Sequence, residues 1–214
     1  MPALTKLFHK LLLLEVFFME NKTQTSNHQH QSKWTLRNII LIALIAIFCG
    51  IIFWGIGFLY TALTVALTPI GAAPFANDIL MGLWCMAGPL TGFLIRTAGS
   101  AFLGEFLGAA VEVFLGGQWG AGAFISGLVQ GVGSELGFTL TGYKRYDWVS
   151  LNASILTTVV VTFAWDMYKN GYNKFALPLL IGLFVTRYIS TFIFGGILTK
   201  MIVKLLDRSN AFSL

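Results

Sequence analysis

Three carboxylates, Glu105, Glu112 and Glu135, lie in a stretch from residue 98 to residue 142 that otherwise consists mostly of apolar residues and glycine. A carboxylate in hydrocarbon costs a few kcal/mol, so each must be paired, protonated or turned toward a polar cavity. The glycines allow helices to approach closely around these groups. The stretch therefore predicts acidic side chains that the rest of the chain encloses.

The composition is that of an integral membrane protein. The 214 residues are 56% hydrophobic and 11% charged, with a mean hydropathy of +0.76, whereas soluble domains carry about 25% charged residues. The net charge of +5 comes from basic residues at predicted helix ends, so we expect the lipid bilayer as a partner and no nucleic acid. Cys49 and Cys85 lie in apolar segments and are expected to be free thiols.

The fold class predicted from hydropathy is all-α, a polytopic bundle of six transmembrane helices. The predicted spans are about 36–60, 78–96, 97–116, 122–143, 148–168 and 176–200. Residues 61–77 are expected to form a loop or broken helix, because Pro69, Gly71 and Pro74 interrupt a helix. The membrane domain is thus 36–208, followed by a tail, 209–214. Residues 1–35 are expected to be a disordered tail, or to include a segment ahead of a true start at Met19.

Basic residues are distributed unevenly between the predicted loops. If the N-terminus is inside, only Lys169 and Lys174 among the loop cations lie outside. The positive-inside rule then places both termini in the cytoplasm. This orientation is consistent with an even number of spans, and we expect the bacterial plasma membrane as the location.

Three charged residues are predicted at one depth. Glu105 and Glu135 each lie eight residues from the inner end of a span, which is roughly 12 Å along a helix, and Arg187 reaches a similar plane from the outer side. They could form a structural cluster in which the buried charges neutralise one another, or they could form the floor of a binding cavity. We therefore assign them to a shell that supports a site.

A second group of polar and aromatic residues is predicted in the outer halves of the spans. These candidate substrate-binding residues are Asp78, Trp84, Glu112, Gln130, Trp165, Asp166 and Tyr172. An aromatic belt at the membrane interface would explain the tryptophans and tyrosines, but it does not explain Glu112 or Gln130. Carboxylates, a buried amide and aromatic faces together suit a flat, cationic molecule that forms hydrogen bonds.

Ala46 and Gly50 form a pair of small residues one helical turn apart in the first span. Such a pair allows tight packing inside the protein, or it offers a smooth docking face for a partner helix. Spacing alone favours tight packing inside the protein.

Motifs for nucleotide hydrolysis and metal chemistry do not occur in the sequence. It contains no G-x-x-x-x-G-K-[ST] phosphate loop and no H-E-x-x-H pair, and no histidine falls in a predicted span. We therefore expect no catalytic residues, no metal site and no cofactor.

Several segments, taken in order, resemble the substrate-binding S components of energy-coupling factor (ECF) transporters, and more closely the YkoE family. The resemblance covers roughly residues 39–203. It is carried by Gly82-Leu-Trp84, by EFLGAAVEVFLGG with Glu105 and Glu112, by GLVQGVGSE ending at Glu135, by Trp165-Asp166 with Gly171-Tyr172, and by Arg187. At the rim of span two this chain has Asn77 and Asp78 where the family has Tyr and Glu.

The resemblance implies a vitamin importer. Its ligand would be thiamine or the hydroxymethylpyrimidine precursor, and its partners a transmembrane coupling protein and two ATPase subunits. Docking through the first span would then involve Ala46 and Gly50. Two alternatives remain: an ion-coupled transporter with Glu105, Glu135 and Arg187 as a proton relay, and a membrane scaffold without a ligand.

Overall fold

The structure, a computed structural model, describes residues 34–208. This part of the chain is helical, and it contains no strand. We number the helices α1 (Leu36–Leu67), α2 (Phe75–Trp84), α3 (Ala87–Ile95), α4 (Ser100–Phe114), α5 (Gly122–Leu140), α6 (Trp148–Lys169), α7 (Leu177–Thr191) and α8 (Leu198–Arg208). A π-helical turn, Phe192–Ile197, joins α7 to α8, and short 3-10 turns occupy Thr68–Ile70 and Tyr172–Lys174. The predictions for residues 1–33 and 209–214 lie outside the described residues.

Side-chain caps determine where two of the long helices begin. Thr35 Oγ1 accepts the N–H of Asn38 at 3.2 Å ahead of α1. At the start of α6, the carboxylate of Asp147 accepts the N–H of Ser150, and Ser150 Oγ accepts the N–H of Asp147 at 3.1 Å. Each such cap contributes about 1 kcal/mol to helix stability. Both helices therefore begin where the sequence predicts them.

The all-α prediction is confirmed, and several helices are long enough to cross a membrane. By length and composition, four stretches of the described chain qualify: Leu36–Ile70, Phe75–Ile95, Trp148–Lys169 and Leu177–Leu206. Helices α4 and α5 occupy the positions predicted for spans three and four. Because α4 has 15 residues, it rises only about 22 Å. The count of six crossings, like the cytoplasmic termini, stays a prediction.

Residues 61–77 form a broken helix, one of the two forms expected, but the predicted end of the first span at residue 60 is wrong, because α1 continues to Leu67. The break follows there, and α2 begins at Phe75. Thr61 Oγ1 donates to the carbonyl of Gly57 at 3.2 Å, and Thr68 Oγ1 donates to that of Thr64 at 2.7 Å. These threonines thus bond back to the preceding helical turn, and no helix breaker precedes Pro69. The helix ends only where the breakers begin, with Gly71 at φ +71°.

The predicted second span is interrupted. Helix α2 ends at Trp84, and α3 begins at Ala87, with Cys85 between them at φ −106° and ψ 18°. Both cysteines are free and buried, as predicted. A break inside a membrane protein leaves backbone N–H groups that need partners. One of them, on Gly88, donates to Glu105 Oε2 at 2.6 Å.

Helix α1 packs against α4, α4 against α5, α5 against α6, and α2 against α7. The contact between α1 and α4 corrects one prediction. Ala46 and Gly50 are buried, and a Cβ on Gly50 would lie 2.5 Å from the Cβ of Val111 on α4. The two small residues therefore serve close packing inside the protein, and they do not offer a docking face. The spacing was compatible with both roles, and the neighbouring helix decides between them.

Candidate functional site

A cavity opens at the end of the bundle that the charge asymmetry assigns to the outside. It lies between the last turns of α1, the beginning of α2, the carboxyl end of α4, the first half of α5 and the carboxyl end of α6. Its lining consists of Tyr60, Asn77, Met81, Trp84, Ala109, Glu112, Trp119, Ala123, Ser126, Val129, Gln130, Thr162, Trp165, Asp166, Lys169 and Asn170. The cavity thus combines aromatic faces, a few charges and amide groups, as small-molecule sites do.

Five of the seven predicted substrate-binding residues line this cavity: Trp84, Glu112, Gln130, Trp165 and Asp166. They come from four different helices, and the fold brings them to one place. Their contact with a ligand stays a prediction.

Asp78 and Tyr172 are not among the lining residues, which corrects the prediction that they contact substrate directly. They belong to a buried ion network next to the cavity. Arg187 Nε donates to Asp78 Oδ1 at 2.5 Å, and Arg187 Nη2 donates to Asp166 Oδ2 at 2.5 Å. The hydroxyl of Tyr172 donates to Asp78 Oδ2 at 2.9 Å. The network ties α2, α6 and α7 to the turn that carries Tyr172.

The predicted cluster of Glu105, Glu135 and Arg187 does not form. Depth along a helix sets the height of a side chain but not the direction in which it points, and Arg187 points toward Asp78 and Asp166 instead. Glu105 is fully buried at the break between α2 and α3. Each of the three side chains therefore has a separate set of partners.

Glu135 stabilises the beginning of α4. Its two carboxylate oxygens accept the N–H of Gly99 at 2.7 Å and that of Phe102 at 3.1 Å, which are groups that a helix leaves unpaired at its first turn. Tyr143, in the turn after α5, donates its hydroxyl to Glu135 at 2.5 Å. A structural role accounts for Glu135.

An aromatic wall of three rings forms one side of the cavity. The ring centroid of Tyr60 lies 5.8 Å from that of Trp84 and 5.1 Å from that of Trp119, and the two indoles are 6.3 Å apart. Trp84 Nε1 donates to the carbonyl of Phe53 at 3.3 Å, which fixes the orientation of the indole. The wall offers faces for a flat or cationic ligand.

Two polar atoms of the lining residues have no hydrogen-bond partner within the described part of the chain. They are Glu112 Oε1 and Trp165 Nε1, and both are buried. Glu112 is only 4% exposed, and an unsatisfied buried group costs about 1–3 kcal/mol. An acceptor and a donor without partners therefore belong to residues that line one cavity. Nearby, Gln130 Nε2 has only a 4.0 Å contact with Met81 Sδ, which is a weak acceptor.

Asp166 differs from Glu112 because its oxygens are already engaged. Besides Arg187, it accepts the side-chain amide of Asn77 at 3.0 Å and that of Asn170 at 2.9 Å. Asp166 therefore connects α6 to α2 and α7. Glu112 is the lining carboxylate with an oxygen that has no hydrogen-bond partner.

The sequence prediction missed several lining residues, among them Tyr60, Asn77, Ser126 and Lys169. Tyr60 was placed at the end of a span, and Lys169 was used only to assign topology. A usable signal did exist for Asn77, because it adjoins Asp78 at the start of a span. No such signal marks Ser126, whose position depends on how α5 is rotated.

Comparison with known proteins gives three concordant matches. Residues 37–161 match the family described as "ABC-type cobalt transport system, permease component". The "Putative HMP/thiamine permease protein YkoE" of Bacillus subtilis (strain 168) is 27% identical over 169 residues, which cover 79% of this chain and 82% of that protein. A solved structure, "Crystal structure of an S-component of ECF transporter", matches with a TM-score of 0.75 and 26% identity over 83% of this chain and 88% of that chain.

These matches confirm the resemblance that the sequence motifs indicate. The relatives are permeases or S components, so the chain is an integral membrane transport protein and not an enzyme. The matched residues include most of α1, all of α2 to α5 and the first part of α6, and they contain 11 of the 16 lining residues. The other five lie beyond the match: Thr162, Trp165, Asp166, Lys169 and Asn170.

Proposed function

Because the chain belongs to the family of ABC-type cobalt transport system permease components, we propose that it is the substrate-binding component of an ECF-type importer. It captures thiamine or the hydroxymethylpyrimidine precursor from outside the bacterial plasma membrane. The ligand class is supported by the relative named for HMP and thiamine and by the chemistry of the cavity.

The single observation that carries this proposal is the unpartnered pair of Glu112 Oε1 and Trp165 Nε1 in the lining of one cavity. An aminopyrimidine presents an amino group that donates and ring nitrogens that accept. The amino group would donate to Glu112, and a ring nitrogen would accept from Trp165 or Gln130. The ligand would thereby remove the cost of two buried, unsatisfied groups.

The aromatic wall supplies the rest of the recognition. An aminopyrimidine or a thiazolium ring can stack on Trp84, Tyr60 or Trp119, and such contacts contribute about 0.5–1.5 kcal/mol each. A cationic thiazolium gains further from an aromatic face.

The description of the family names cobalt, but the lining of this cavity favours an organic ligand. None of the lining residues is a histidine or cysteine, and imidazole and thiolate are preferred by transition metals of this kind. Of the two lining carboxylates, Asp166 is engaged by Arg187. The donor set therefore does not suit cobalt as the substrate.

In this proposal, a transmembrane coupling protein and two ATPase subunits provide the energy for release inside. The competing function, an ion-coupled transporter with a relay through Glu105, Glu135 and Arg187, is less well supported, since the three residues have separate partners. The proposal requires a partner-docking surface other than Ala46 and Gly50, because both are buried.

A ligand titration tests the proposal. Purified protein in detergent is titrated with thiamine and with hydroxymethylpyrimidine, and quenching of tryptophan fluorescence is followed. We expect saturable quenching at micromolar ligand or below. Its amplitude should fall in Trp84→Phe, with Trp119 and Trp165 still in the lining, but not in Trp54→Phe, since Trp54 faces outward from α1. The absence of quenching and of calorimetric heat with both ligands would refute the function.

A further inference from the structure

Lys169 bridges the mouth of the cavity. It is the last residue of α6, and its Nζ donates to Ser126 Oγ of α5 at 2.8 Å. The same ammonium lies 5.7 Å from the ring centroid of Trp119, at the turn between α4 and α5. All three residues line the cavity. A positive charge of the protein thus already occupies one aromatic face at the entrance.

The charges of the cavity are few and can be assigned. Asp166 is paired with Arg187 at 2.5 Å, so it attracts a ligand cation only weakly. Glu112 is the lining carboxylate with an unpartnered oxygen. Within the described chain, the lining therefore presents one carboxylate without a hydrogen bond to Oε1 and one cation, Lys169, whose charge also interacts with that of Glu112.

Resting on the proposed function, we propose that Lys169 discriminates between ligands by their charge, and that it weakens the binding of cationic thiamine relative to neutral hydroxymethylpyrimidine. A thiazolium in the cavity is repelled by the ammonium across less than about one Debye length. It also competes with Lys169 for the face of Trp119. A neutral aminopyrimidine experiences neither effect and keeps its hydrogen bond to Glu112.

The test compares Lys169→Met with the wild-type protein, with both ligands titrated in detergent at about 20 mM and about 500 mM salt. At low salt we expect Lys169→Met to bind thiamine about fivefold more tightly, while the affinity for hydroxymethylpyrimidine changes by less than about twofold. The gain for thiamine should shrink at high salt, because ions screen an exposed charge. Lys174→Met removes an exposed cation outside the cavity lining, and it should leave the ratio of the two affinities unchanged.

Equal changes for both ligands, a gain independent of salt, or the same change in Lys174→Met would overturn the assignment to the charge of Lys169. If the wild type binds only one of the two ligands, the thiamine affinity of Lys169→Met at low salt decides. A variant that binds thiamine no more tightly than the wild type would then refute the role of Lys169. Failure of the wild type to bind either ligand refutes the proposed function, and this inference with it. A bound ligand with an unchanged ratio refutes the inference alone.

Discussion

Replacing Glu112 by glutamine tests the chemistry of the cavity most directly. The substitution keeps the size and shape of the side chain and removes its charge. Glu112 is 4% exposed, and its Oε1 has no partner among the described residues. The oxygen therefore has capacity to accept a ligand donor, and removing the charge also removes its interaction with Lys169.

The expected loss of binding free energy in Glu112→Gln follows from the burial of this oxygen. A hydrogen bond to a charged group contributes about 1.5–3 kcal/mol, and the neutral amide still accepts a weaker bond. We expect a loss of about 2 kcal/mol, which corresponds to a dissociation constant roughly 30-fold higher. Calorimetric titration of the detergent-purified protein with the aminopyrimidine ligand measures this loss.

Glu135→Gln is the matched control, because it makes the same chemical change at a residue outside the cavity lining. Since Glu135 accepts three hydrogen bonds, this variant should melt at a lower temperature but bind with unchanged affinity. If Glu112→Gln binds as tightly as the wild type, or if both variants weaken binding equally, then Glu112 does not contact the ligand and the reasoning fails.

Three further substitutions test other parts of the structure. Trp165→Phe removes the unpartnered N–H and keeps an aromatic ring, so affinity should fall about five- to tenfold with no change in melting temperature; unchanged affinity would exclude the N–H from recognition. Arg187→Met leaves Asp78 and Asp166 buried without their cation, which should destabilise the protein by about 3–5 kcal/mol in thermal melts, and an unaltered melting temperature would contradict the ion network. Gly50→Leu should lower the melting temperature, since even a Cβ there comes within 2.5 Å of α4; a stable variant defective only in uptake would restore Gly50 as a docking residue.

Hydropathy was sufficient to predict the helical segments, because apolar runs of about 20 residues permit few alternatives in a membrane. It failed at the end of α1, where threonines can belong to a loop or to a helix. Thr61 and Thr68 bond to carbonyls of the preceding turn, and hydropathy does not report such bonds. The break at Cys85 was also missed, although Pro89 marks it: a proline has no N–H to donate to the carbonyl four residues earlier, which is that of Cys85.

The candidate site was predictable in its composition but not in its geometry. Polar residues in apolar segments, such as Glu112 and Gln130, could be recognised as candidate site residues, because burying a polar group without a function or a partner is costly. Which buried charges meet depends on the rotation of each helix about its axis, and a single sequence constrains that rotation weakly. This is why Arg187 was placed with Glu105 and not with its actual partners, Asp78 and Asp166.

The length of α1 connects the cavity to the thickness of the bilayer. Its 32 residues rise about 48 Å, whereas the hydrocarbon layer measures about 30 Å. The helix must therefore tilt, or its ends must project by several turns beyond the lipid tails. The thickness of the hydrocarbon layer sets how much of each occurs. Tyr60 lies near the far end of α1 and forms part of the aromatic wall. The acyl-chain length of the surrounding lipids thus acts on one edge of the cavity.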